Sequence, residues 1–209
     1  CREPRFPARV LGVSLALFLI PLSLGKGEGD TGGEGLLPEP LPEVADLLEK
    51  LSTERQDLLN VLAVLSDDQA QEHPKGEWSA KQQMAHLVEG EPEWLGWALS
   101  VYHRPGITVG QPPEVEQPFL REVAAADSKP LAWWLRRLGR TRAHTLQRIH
   151  EINLSTADAI NSRGVHRTWG DMTVLQLLRG IYRHDRMHRD QLLGQEQSFT
   201  PRLDASRTP

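Results

Sequence analysis

The sequence predicts an all-α protein, folded as a four-helix bundle. Three observations carry that expectation. Apolar residues recur at three- and four-residue steps in four separate stretches. No stretch keeps a convincing strand alternation. Ser79 with Gln82 and Thr173 with Gln176 have the spacing of a helix-capping box. Helices with apolar stripes and no sheet to pack against bury those stripes against one another.

The first helix starts near Leu41, with Pro42 in its first turn, where a missing N–H costs nothing. Its stripe is Val44, Leu47, Leu48, Leu51, Leu58, Leu59, Leu62 and Leu65. The second follows Ser79 as N-cap, with Trp78 placed to staple the entry. Pro92 predicts a kink or break, after which WLGWALSVY carries on in roughly the same direction. Residues 103–127, with Pro105, Gly106, Pro112, Pro113 and Pro118, form a long connection of the kind that shapes a site. The third helix covers 129–152 and buries Leu131, Trp134, Leu135, Leu138, Ile149 and Ile152. Arg136, Arg137, Arg140 and Arg148 form its solvated side; docking of an anionic substrate is the alternative. A turn-rich connection (153–171) leads to the fourth helix, with Val174, Leu177, Leu178, Ile181, Leu192 and Leu193 on its apolar face and Gly194 as its stop. VHRTW (165–169) is at most a short extended piece. The two long connections leave room for crossovers.

Composition narrows the function. The chain has 209 residues, 39% hydrophobic and 25% charged, which fits one soluble globular domain. A net charge of −4 gives no electrostatic reason to expect nucleic acid or an anionic membrane as partner. The single cysteine, Cys1, leaves no disulfide framework, cysteine zinc site or credible cysteine nucleophile. Any thiol chemistry must therefore bring its thiol with a substrate.

Residues 1–40 read as a non-globular leader, 41–197 as the bundle and 198–209 as a tail. Arg2, Arg5 and Arg9 precede VLGVSLALFLIPLSLG (10–25), which resembles a secretory signal and is too short for a confident membrane span. The low-complexity GKGEGDTGGEG (25–35) favours the equal alternative, an over-extended start in which upstream sequence is translated by mistake. Gly27, Gly29 and Gly32 match a G-x-G-x-x-G spacing, but the strand before and helix after that a dinucleotide loop needs are missing.

The chemistry concentrates on histidine. His184 and His188 lie one helical turn apart and continue the core-facing line of Leu177 and Ile181, while Arg183, Arg186 and Arg189 mark the solvated side. Two imidazoles so placed suit a divalent metal. His86, amid Met84, Leu87 and Val88 on the second helix, is the third candidate. Three neutral imidazoles leave a coordination position open, as catalytic sites do. Spacing fixes faces but not which helices adjoin, so three separate core histidines, each hydrogen-bonded to a neighbour, remain the alternative. His73, His103, His144, His150 and His166 have no matched partner on an inward face and read as surface or loop residues.

EWSAKQQMAHLVEGEPEW resembles the second-helix signature of the DinB-like superfamily, which includes YfiT-type metal hydrolases and bacillithiol or mycothiol S-transferases. HDRMHRDQL resembles its fourth-helix motif, His-x-x-x-His followed by Gln. The resemblance covers roughly 41–197. It implies a DinB/YfiT-type bundle and one divalent metal ion held by His86, His184 and His188, often in a homodimer. It does not imply DNA polymerase activity. Zinc or nickel is the foremost expectation for the ion, then iron or manganese. Glu89, Asp185 and Gln191 are candidates to steady the ligands, with ordinary surface ion pairs the alternative for Glu89 and Asp185. The expected function is a metal-dependent transferase or hydrolase that activates a thiol or water for a small-molecule substrate, with a low-molecular-weight thiol as cosubstrate. The alternative is a non-catalytic, stress-associated metal-binding module. The expected location is the cytoplasm, or outside it if residues 1–25 are a signal peptide.

Overall fold

The structure, a computed structural model, describes residues 40–74, 77–111 and 119–196. The expected leader, the glycine spacing within it, the tail and Pro112, Pro113 and Pro118 lie outside the described residues. The long helices are α1 (Pro42–Ala63), α3 (Ala80–His103), α5 (Leu131–His150) and α7 (Val174–Leu192). Short helices stand between them: α2 (Asp67–Gln71), α4 (Phe119–Ala124) and α6 (Ala157–Asn161), with a 3-10 turn at Ala126–Ser128.

Both expected capping boxes form. Gln82 N donates to Ser79 Oγ at 3.2 Å and Ser79 N donates to Gln82 Oε1 at 3.1 Å. Thr173 and Gln176 repeat the exchange at 3.1 and 2.8 Å. These bonds satisfy amide donors that no helical carbonyl can reach. A third box, Ser66 with Gln69, starts α2. Gly194, at φ +63°, closes α7 as only glycine does without strain.

Of the kink or break expected at Pro92, the break does not occur: α3 is one helix from Ala80 to His103. Pro92 faces solvent, while its neighbours Glu91, Leu95 and Ala98 are buried. Water can serve the carbonyl that loses its donor.

The absence of strands is also corrected. β1 (Thr108–Val109) pairs in parallel with β2 (Arg163–His166), which pairs antiparallel with β3 (Gly170–Thr173). The register sets Val109 beside His166 and His166 opposite Gly170. Strands of two to four residues are too short to display alternation. Thr173 ends β3 and caps α7, so the sheet fixes where α7 begins.

The apolar residues form two clusters. One joins Leu47 and Leu51 of α1 to Leu95, Ala98 and Val101 of α3 and to Val174, Leu177, Leu178 and Ile181 of α7. The other joins Leu58 and Leu62 to Met84, Leu87 and Val88 and to Trp134 and Leu138. Between them four buried charged residues, one from each long helix, meet: Arg55, Glu91, Arg142 and Asp185. The candidate site lies at this polar level.

Candidate metal centre

α3 and α7 bring His86, His184 and His188 together, with one ring nitrogen of each within 4.8 Å of the others. The Nε2 atoms converge: those of His184 and His86 stand 2.9 Å apart, and those of His188 and His184 3.1 Å apart. A tetrahedral ion bound at about 2.0–2.1 Å spaces its nitrogens about 3.3 Å apart, so each of these two pairs would need to part by only a few tenths of an ångström. His188 is buried, whereas His86 and His184 are partly exposed.

One tautomer is set by the surroundings. The Gln83 amide nitrogen donates to Trp78 O at 3.3 Å, which turns the amide oxygen toward His188. His188 Nδ1 lies 3.1 Å from that oxygen. The ring proton thus sits on Nδ1 and the Nε2 lone pair faces the cluster. Trp78 packs edge-on against His86 with centroids 5.2 Å apart. The ring of His184 lies against Gly90, where a Cβ would stand 3.5 Å from its Cε1.

The rings are electrically neutral in ordinary buffer. Burial lowers the His86 pKa to about 4. Burial, then the charges of His86 and Arg55, lowers that of His184 to about 3. His188 falls well below its ordinary value through burial and its two histidine neighbours, against a smaller opposing hydrogen bond with Gln191. A neutral imidazole is the form that ligates a metal. Donor type, protonation and convergence all fit a divalent ion.

The other candidates sit differently. Gln191 interacts with His188. Glu89 is engaged with Arg137 at 3.5 Å on the surface. Asp185 is no surface residue: it is fully buried and holds both Arg55 and Arg142. Arg186 and Arg189 are not simply solvated either, because both pair with the buried Glu54 of α1. His166, read as a loop residue, is buried on β2. It stacks on Trp169 at 4.1 Å and meets Trp97 edge-on at 4.8 Å. Its Nδ1 accepts from the amides of Thr168 and Trp169, and burial lowers its pKa to about 4. His73, His103, His144 and His150 are exposed, as expected.

Gln83, Arg55, Glu91 and Arg142 escaped the sequence reading. The signal was present: each of the three charges falls four residues beyond a buried leucine, Leu51, Leu87 or Leu138, on its helix's own core line.

A model of the DinB superfamily matches residues 38–192. No curated protein sequence matches the chain. Among solved structures, a mycothiol-dependent maleylpyruvate isomerase is similar, with TM-score 0.57 and 14% identity. The similarity covers 73% of this chain and 61% of the isomerase, so the chain spans less than two thirds of that protein's length. YfiT from Bacillus subtilis, described as a probable metal-dependent hydrolase with an unusual four-helix bundle topology, matches with TM-score 0.55 and 11% identity over 83% of this chain and 97% of its own. Among the described residues no helix is long and apolar enough to cross a membrane.

Proposed function

The chain belongs to the DinB superfamily, and from that premise we propose that it is a metal-dependent enzyme that activates a thiol or a water molecule on a small-molecule substrate. The observation that carries this reading is the convergence of His86, His184 and His188 ring nitrogens on one point. His86, His184 and His188 would hold the ion. When bound, it would lower the pKa of a thiol or water at the open position and so supply a nucleophile near neutral pH.

The chain's own residues do the rest. Gln83 holds His188 in the ligating tautomer, and Gln191 adds a second contact to the same ring. Three uncharged ligands leave the ion's positive charge uncompensated, which favours an anionic ligand in the open position. With Cys1 the sole cysteine, a reacting thiol comes from a cosubstrate. The mycothiol-dependent neighbour supports the thiol arm of the proposal, and YfiT supports the hydrolytic arm.

The test has two stages. Elemental analysis of purified protein should find a divalent ion, zinc or nickel foremost, in wild type and little in His184→Ala/His188→Ala. Equal content in both would sink the site. The loaded protein is then assayed with low-molecular-weight thiols against electrophiles, and with ester and amide substrates, beside His86→Ala. Turnover by wild type alone supports an enzyme. Metal binding without turnover, in a site whose cobalt spectrum does not respond to added thiol, favours the non-catalytic module.

A further inference from the structure

Arg55, Glu91, Arg142 and Asp185 come one from each of α1, α3, α5 and α7, and their side chains are 3%, 2%, 5% and 1% exposed. Arg55 forks onto Asp185, with Nε 3.1 Å from Oδ2 and Nη2 2.7 Å from Oδ1, and Nη2 also reaches Glu91 Oε2 at 2.6 Å. Arg142 Nε donates to Glu91 Oε1 at 2.8 Å and its Nη2 to Asp185 Oδ2 at 2.7 Å. Each arginine also donates to a backbone carbonyl of the other's helix: Arg55 to Leu138 O at 2.7 Å, and Arg142 to Leu51 O. The quartet has two positive and two negative charges.

Such a closed set is a poor adhesive. Burying four charges carries a desolvation penalty that well-packed apolar side chains avoid. The bundle already has apolar clusters on either side of this level. Forked, charge-assisted bonds supply direction instead: they fix the rotation and height of each helix. The quartet also adjoins the histidines through the chain. Asp185 follows His184, and Glu91 follows Gly90, against which the His184 ring rests. Any turn of α7 that displaced Asp185 would carry His184 away from His86.

We infer that the Arg55–Glu91–Arg142–Asp185 quartet is the positioning device of the histidine site, holding His184 in register with His86. This rests on the metal-site reading. The test loads wild type, Asp185→Asn, Arg55→Lys and the apolar quartet Arg55→Met/Glu91→Leu/Arg142→Met/Asp185→Leu with cobalt(II). It records the visible spectrum and measures affinity against a chromophoric chelator. Asp185→Asn and Arg55→Lys should bind cobalt about tenfold more weakly or worse, with a shifted visible spectrum. The apolar quartet leaves no buried charge unpaired, so it serves if either single variant fails to fold, and it should show the same loss. A purely stabilising role would alter unfolding but leave spectrum and affinity as in wild type, and that result overturns the inference. If wild type itself binds no cobalt through its histidines, the metal reading falls and takes the inference with it. Normal wild-type binding beside unchanged variants removes the inference alone.

Discussion

Asp185→Ala tests the polar layer through stability. The carboxylate accepts three charge-assisted bonds, from Arg55 Nε, Arg55 Nη2 and Arg142 Nη2. At Arg55, burial alone would lower the pKa, but Asp185 and then Glu91 outweigh it and hold the value above its ordinary one. Removing Asp185 leaves two buried guanidinium groups sharing one carboxylate. Breaking a buried pair in this way costs about 3–5 kcal/mol. For a domain of this size each kcal/mol lowers the melting temperature by about 2–4 °C, so the metal-free variant should melt roughly 6–20 °C below wild type. The comparison is Asp46→Asn, which breaks the partly exposed pairs with Lys50 and Arg179 and should cost less than about 1 kcal/mol. Chemical denaturation of metal-free protein gives both numbers. An Asp185→Ala loss no larger than that of Asp46→Asn would refute the claim that the quartet is a dry, closed network.

Further perturbations test separate links. Gly180→Ala should destabilise the fold by about 1–3 kcal/mol in urea, because the new Cβ would stand 2.3 Å from the Trp94 ring; a neutral effect would show that ring free to move. Thr173→Ala removes a cap and should cost about 1 kcal/mol by the same measurement. Ser79→Ala should cost more, since Ser79 also donates to Asp127 at 3.1 Å; equal losses would make that contact inconsequential. Metal-free stability should depend on pH with a definite sign. Burial lowers His86 and His166 from 6.5 to about 4 and His184 to about 3, so below 6.5 the unfolded chain takes up protons first. Urea midpoints should be flat near neutrality and fall steadily from about pH 6.5 toward pH 4, and a constant midpoint across that window would refute neutral buried rings.

Several patterns that depend on neighbours within one helix were legible in the sequence. Ser79 with Gln82, Thr173 with Gln176, and the apolar steps of α1 and α7 are local patterns with local causes. The His184–His188 pair is of this kind, and its facing could be read from Leu177 and Ile181. Convergence with His86 is tertiary: 98 residues separate it from His184, and only the packing of α3 on α7 joins them. The small sheet was hidden because its order comes from pairing. Thr108 and Val109 extend beside residues more than fifty positions later, and nothing in two residues announces that. His166 was misplaced for the same reason, since its neighbours Trp94 and Trp97 arrive from α3.

The buried charges pose a sharper problem. A charged residue on an apolar helical line reads as the edge of a stripe, because a lone charge is far more stable in water. Arg55 sits four after Leu51 and three before Leu58, both fully buried, so bringing it to the surface would interrupt the core line of α1. The same holds for Glu91 between Leu87 and Leu95, and for Arg142 between Leu138 and Ile149. One such charge predicts little. Two of each sign, spread over the four long helices and each flanked by buried residues of its own line, satisfy one another here. That coincidence was available in the sequence. It ties α1, α3, α5 and α7 at the height where His184 rests against Gly90. A search for charges that break apolar lines in complementary numbers would therefore locate this layer without reference to a single histidine.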